Sequence, residues 1–457
     1  MGARASKPSK AGASCVARRV LTAAICGEVF GFLPLRTVLL RCFLVCKAWR
    51  AGRAQWPAVR VRADLVAGMC CVASVRDAVL DTPAAFDAFA GARLEMLHVQ
   101  CYTWKLDRLP FADLRELHLA GVGADAAWWP ALRCLSRLRA LALTDCAVAG
   151  HVSLAVCSAM PNLETVKLRN CHALTGADVL HCLRPTLRKL HLVKVELFAC
   201  VLCSLDRVPA LECIVLEQVW GRVFKDDTLW ASLARVPRLH TLILTSTVLM
   251  EQPHRFLELP LASLTLVCRN LSWPAGLQVH SGLQTLHFRE SFGDNLWQVL
   301  PANLRSLTVA AMGLTPRWLY QYVLRNPHVS ALGLTGLSVI RVELVQLIFT
   351  WELTSLELQG QQLEWGEVLS SLVSAFPNLE RLVLGESFQG SCRHVVLKPL
   401  QNLSRLRHLE LRTPSPISAA DLAGLATCPR FDTLVVSPRA DCRELLQRAD
   451  HLTVIRD

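Results

Sequence analysis

The residues in this chain best suited to chemistry are its cysteines and histidines. Cys200 and Cys203 stand three apart, and Cys70 and Cys71 are adjacent. A zinc site needs four such ligands, and no second pair stands at a matching spacing. Both pairs fit small buried thiols of a repeating core better than a metal or redox centre. His98, His118, His191 and His287 recur at one position of an internal repeat. They do not fall on uniformly neighbouring repeats, which argues against a metal ladder. The chain carries no phosphate-cradling glycine loop, no nucleophile elbow and no HExxH helix. A non-catalytic chain with no cofactor is expected.

A second cluster is cationic. Lys167, Arg169, Arg188, Lys189, His191 and Lys194 fall in two consecutive repeats. If those repeats are adjacent strands about 5 Å apart, the six form one compact basic patch. Such a patch suits an acidic or phosphorylated segment of a protein substrate. The alternative is a merely solvated face, where strand-borne charges ordinarily sit. Farther along, Glu357, Glu386 and Glu410 are expected on the same side.

The elements that would position these residues come from internal repetition. The pattern apolar-x-x-apolar-x-apolar appears as "LEMLHV" at Leu94, "LRELHL" at Leu114, "LRALAL" at Leu138, "LETVKL" at Leu163 and "LRKLHL" at Leu187. It continues to "FDTLVV" at Phe431, in fifteen copies whose starts lie about 24 residues apart, the leucine-rich-repeat period. The fourth and sixth positions share one side of a strand and the residue between them faces the other. One repeat cannot bury its leucines alone, so the copies must stack. Helix-compatible segments such as "GEVLSSLVSAF" lie between the strands. Pro161, Pro209, Pro237, Pro327, Pro377 and Pro429 each stand two residues before a first apolar position, where proline stops a helix and starts an extended run. The expected fold is α/β: a leucine-rich-repeat solenoid over 94–457, with a curved parallel sheet and helices on the convex side. "WPAVRV" at Trp56 is a candidate first strand, and "ADCRELLQRADHLTVIRD" reads as a polar helix and a closing strand.

Length and charge bound the rest. The chain has 457 residues and a net charge of +12. Residues 1–62 contain twelve Lys or Arg against Glu28 alone, so the basicity belongs to the N-terminus and points to an acidic partner or an anionic surface. Arginine is not interleaved with glycine or aromatic residues, which argues against nucleic acid as a partner. The cysteine count, nineteen, is odd and unframed, as expected of reduced thiols in the cytoplasm. No convincing secretory signal or membrane-spanning run is expected.

The N-terminal block has its own pattern. "FLPLRTVLLRCFLVCKAWR" from Phe32 to Arg50 is apolar and cationic, with no acid. A helix carrying Ile25, Val29 and Phe30, a break at Pro34 and a second helix from about Thr37 are expected. A small all-α unit of this size gains by packing on something else. Leu21, the "EVFGFLP" stretch with Leu33 and Pro34, and the "VCKAWR" stretch with Val45, Cys46 and Trp49 resemble the F-box. "LRNCHALTGADVL" resembles the cysteine-containing leucine-rich repeats found in F-box proteins. The resemblance implies a substrate receptor of an SCF-type ubiquitin ligase. In that reading Leu21, Leu33, Pro34, Val45, Cys46 and Trp49 dock a Skp-type adaptor, which links to a cullin and a RING subunit, and the array holds a protein substrate. The alternative is a helical cap on the solenoid.

The resulting division is a disordered basic tail over 1–19, an F-box-like helical domain over 20–62, a helical linker or irregular first repeat over 63–93, and the solenoid. "MGARAS" fits the N-myristoylation pattern at Gly2, with Lys7, Lys10, Arg18 and Arg19 behind it and Cys15 as a candidate palmitoylation site. One acyl chain beside a polybasic patch supports stable peripheral membrane contact. The expected location is therefore the cytoplasm, at a membrane where Gly2 is acylated, and nothing in the sequence bars the nucleus. A membrane-tethered repeat scaffold without a ligase role is the second functional reading.

Overall fold

The computed structural model describes residues 59–60, 77–80, 94–100, 113–121, 130–146, 157, 159–171, 182–195, 204–219, 228–245, 253–267, 279–288, 300–310, 316–340, 342–349, 351–363, 365–386, 397–413, 417, 422, 425, 428–436 and 453–456. The F-box-like residues Leu21, Leu33, Pro34, Val45, Cys46 and Trp49, the lipidation candidates Gly2 and Cys15, and the pairs Cys70–Cys71 and Cys200–Cys203 lie outside them.

The chain divides into two compact units, Met1–Leu211 and Glu212–Asp457. In the first, β1 (Val59–Arg60), β2 (Asp77–Leu80), β3 (Met96–Gln100), β4 (Glu116–Ala120), β5 (Ala140–Thr144), β6 (Thr165–Arg169) and β7 (Lys189–Val193) follow one another. Each pairs in parallel with the next. The segment read as a helical linker or irregular first repeat thus contains a strand, β2, in register with β3. β1 falls within "WPAVRV", the candidate first strand.

The second unit continues the same plan. Its strands are β8 (Cys213–Glu217), β9 (Thr241–Thr245), β10 (Ser263–Val267), β11 (Thr285–Phe288), β12 (Ser306–Ala310), β13 (Ala331–Ile340), β14 (Ser355–Leu363), β15 (Arg381–Glu386), β16 (His408–Arg412), β17 (Thr433–Val436) and β18 (Thr453–Arg456). All pair in parallel in sequence order. Among the described residues, four α-helices lie between them: α1 (Thr228–Ala234), α2 (Pro316–Arg325), α3 (Val342–Ile348) and α4 (Trp365–Ala375). Among the described residues of the first unit the connections hold only 3-10 turns, such as Pro130–Cys134.

The leucine spacing explains this core. Leu117 and Leu119, Val166 and Leu168, and Leu190 and Leu192 are all buried at the fourth and sixth positions. The fifth-position residues between them are half-buried on the other face, as in β6 and β8. The six prolines before the strands all sit in exposed turns.

The eighth position of several repeats has a feature of its own. Gly121, Asp145, Asn170 and Lys194 all lie at positive φ, between 49° and 72°. Gln218 and Gly336 do the same in the second unit. The left-handed residue turns the chain so that its N–H meets the last carbonyl of the next strand: Gly121 N reaches Thr144 O and Asp145 N reaches Arg169 O, both at 2.9 Å. Asn170 N reaches Val193 O at 2.7 Å, and its side-chain Nδ2 donates to Asp145 Oδ1 at 2.6 Å. At the ninth position Cys146 and Cys171 are buried, and each thiol donates back to the preceding strand, to Leu119 O at 3.5 Å and Leu143 O at 3.6 Å. A second thiol pair, Cys157 and Cys182, meets at 3.5 Å in the core between the same two repeats.

Candidate protein-binding face

A parallel sheet with leucines on one side leaves its other side to function. In the first unit the register places Lys167 beside His191, Lys189 beside Thr165, and Arg169 beside Val193. Arg188 and Lys194 flank β7 at its two ends, both exposed. The six residues singled out from the sequence therefore do gather on and around β6 and β7. Arg169 and Lys189 are exposed, whereas Lys167 and His191 are half-buried.

The sequence pattern did not disclose what lies beside this patch. His98 and His118 face each other across β3 and β4, stacked with ring centroids 4.0 Å apart. Next to His118 comes Ala142, and next to Ala142 comes Lys167. On β5, Ala140 is half-buried and Ala142 is buried, and Ala142 stands in register between His118 on one side and Lys167 on the other. Burial pushes the His118 imidazole down to about 4, and the adjoining His98 and the positive charge of Lys167 push the same way. It is therefore neutral at pH 7.

The second unit carries a different arrangement. Of the three acids expected on this side, Glu357 and Glu410 are paired: Arg412 Nε donates to Glu410 Oε1 at 2.6 Å, and Arg412 Nη1 reaches Glu357 Oε1 at 3.3 Å. Gln359 Nε2 also donates to Glu357 Oε1, at 2.5 Å. Arg381 and His408 approach the other oxygen of Glu410 at 3.6 and 3.7 Å. Glu410 is buried, and so is Val383, which lies between Glu357 and Glu410 in register. The network is a flat, internally neutralised lid over the sheet rather than an acidic patch. At the other edge of the strands, Ser281, Asn303, Arg305 and His328 line a polar cleft of about 630 Å³.

Among the described residues no group of three or more His, Cys, Asp or Glu is placed to hold a metal ion. No described helix is long and apolar enough to cross a membrane.

The strand period, the parallel ladder and the paired buried leucines define a leucine-rich-repeat fold. No family model matches the sequence, and no curated protein matches it either. Solved structures resemble the chain in three dimensions. A leucine-rich-repeat protein of Leptospira interrogans is 13% identical with a TM-score of 0.35, covering 90% of this chain and 92% of that one. A chain in the Toll–Spatzle complex, a molecular hub in Drosophila development and innate immunity, is 15% identical with a TM-score of 0.43, covering 84% of this chain. The present chain spans 57% of the length of that one.

Proposed function

We propose that this chain is a binding subunit and not an enzyme: the substrate receptor of an SCF-type ubiquitin ligase. Its N-terminal block docks a Skp-type adaptor, and through it a cullin and a RING subunit. The solvent face of its repeat sheet receives the protein to be modified. The observation that carries the receiving role is the fifth-position row from His98 to His191. His98, His118, Lys167 and His191 are half-buried on the face opposite the leucines, with the buried Ala142 between them, and all are held in fixed register on neighbouring strands. Fixed, pre-ordered side chains lower the entropic cost of association. The adaptor role is supported by the "EVFGFLP" and "VCKAWR" stretches and by the positive charge of residues 1–62, which suits an acidic adaptor.

Affinity purification of the intact chain from cells tests both parts. Adaptor and cullin should co-elute with the wild type and be lost from a Pro34→Ala, Trp49→Ala double variant. Purification without adaptor, together with Gly2-dependent membrane fractionation, would replace the ligase role with that of a membrane-tethered scaffold.

A further inference from the structure

We infer that the second unit holds a ligand site for a single carboxylate, received by the Arg305 guanidinium in the polar cleft at the N-terminal ends of β11, β12 and β13. The site goes beyond the receptor reading and does not depend on it. It is built by the repeat. The second position of each copy forms a ladder of its own just ahead of the strands: Arg305 N donates to Gln284 O and Ser330 N donates to Arg305 O, both at 2.9 Å. Residues on neighbouring rungs therefore stand about 5 Å apart. Arginine fills this position in Arg115, Arg139, Arg188, Arg305 and Arg407. All but Arg305 have an acid on an adjacent rung. Glu95 adjoins Arg115, Glu164 lies between Arg139 and Arg188, and Glu380 and Asp432 flank Arg407. The Arg139–Glu164 pair closes to 3.7 Å. Arg305 has Gln284 on one side and Ser330 on the other, and neither offsets its charge.

This arginine also lies where a ligand can enter. The cleft encloses about 630 Å³, within the range of small-molecule sites. Ser281, Gln284, Asn303, Arg305 and His328 are exposed along it and Ser330 is half-buried. Among the described residues that line it there is no carboxylate and no apolar side chain. Asn303 Nδ2 donates to Ser281 O and Ser330 Oγ donates to Arg305 O, each at 3.3 Å, which holds the walls in place. A guanidinium fork matches a carboxylate through two parallel hydrogen bonds. One permanent cation balances one negative charge, whereas a phosphoryl dianion calls for more. The carboxamides and hydroxyls around Arg305 both donate and accept, so the rest of the ligand carries amide or hydroxyl groups rather than an apolar body. A peptide ending in its free α-carboxylate and a free polyhydroxy acid share this chemistry.

The experiment uses the full chain and three probes: a degenerate pentapeptide library without Asp or Glu and with free C-termini, the same library C-terminally amidated, and glucuronate titrated calorimetrically. If the carboxylate is a peptide end, the free library should be retained at least about ten-fold better than its amidated twin. If it belongs to a small acid, glucuronate should bind while the two libraries behave alike. In either case Arg305→Gln should erase the binding, and Arg305→Lys should lose most of it, because an ammonium cannot form the fork. Both variants should unfold at the wild-type temperature, since Arg305 is exposed. Arg139→Gln, at the same repeat position but beside Glu164, should leave the binding intact. Equal retention of both libraries without glucuronate binding, binding that survives Arg305→Gln, an equal loss in Arg139→Gln, or displacement of the probe by equimolar inorganic sulfate would each overturn the site. Adaptor co-elution should be the same for Arg305→Gln and the wild type, so the fate of the receptor reading is read separately.

Discussion

Arg412 and Glu357 meet at 3.3 Å although an entire strand lies between them. Arg412 is on β16 and Glu357 on β14. In register between them, Gly385 of β15 stands opposite both Arg412 and Gln359. A side chain there would block the crossing. A Cβ built on Gly385 comes within 2.8 Å of Gln359 Cγ and 3.3 Å of its Cβ. Gln359 would have to swing away and surrender its bond to Glu357. Gly385→Ala should therefore lower stability by about 1–2 kcal/mol, as overpacking does. Gly366 is the control. It lies in α4 with nothing within 4 Å of its added Cβ, so Gly366→Ala should gain about 0.5 kcal/mol from helix propensity. Urea unfolding of both variants reads the contrast.

Removing the bridge itself has a larger effect. Glu410 is only 7% exposed, and Arg412 is its nearest cation by a wide margin. Arg412→Ala would leave a buried carboxylate with only the more distant Arg381 and His408. The expected loss is about 2–4 kcal/mol, smaller than for a fully buried orphan because those two groups remain. Replacing Glu410 by Gln in the same background should recover much of it, since the uncompensated charge is then gone. A double-mutant cycle on chemical denaturation gives both numbers.

The period and the strands were legible in the sequence because the leucine spacing has one physical solution: two inward residues per strand, stacked. The basic cluster was legible for the same reason, since Lys167 and His191 occupy equal positions in consecutive repeats. The network around Arg412 was not. Its members are spread over β14, β15 and β16, and the deciding residue is a glycine whose importance is the absence of a side chain. The His98–His118 stack was half visible, as a shared repeat position. That the rings touch depends on packing that spacing alone does not encode.

The eighth-position ladder supplies a sharper test. Gly, Asp and Asn reach the left-handed region at little cost, and Gly121, Asp145 and Asn170 fill it in three successive repeats of the first unit. Lys194 occupies the next with φ of 52°, and a lysine gains nothing there from its side chain. Lys194→Gly should stabilise the protein by about 0.5–1 kcal/mol, part of the relieved strain being offset by a more flexible unfolded chain. Gly121→Ala should move stability the other way by about 1 kcal/mol. If Lys194 contributes to the basic patch, the stabilised variant should also bind acidic partners less well, and thermal unfolding with and without such a partner reads both effects.

His118 makes stability depend on pH in a defined window. Its imidazole ionises near 4 in the folded protein and near 6.5 when the chain is unfolded, so folding favours the neutral ring. Above pH 6.5 the ring is neutral in both states and its contribution is complete. As pH falls from 6.5 toward 4 the unfolded chain takes up a proton that the folded one refuses, and stability declines. Because the group is half exposed, solvent screens much of this, and the effect should shrink further in high salt. His118→Gln removes the linkage, so the gap in unfolding free energy between the wild type and this variant should change steadily from pH 6.5 to 4 and stay constant above pH 7. Lys167→Ala should raise the ring's midpoint without abolishing the linkage, because burial, the largest cause, is untouched. An imidazole that titrates near 6.5 in the folded wild type would contradict the half-buried placement of His118 between His98 and Ala142.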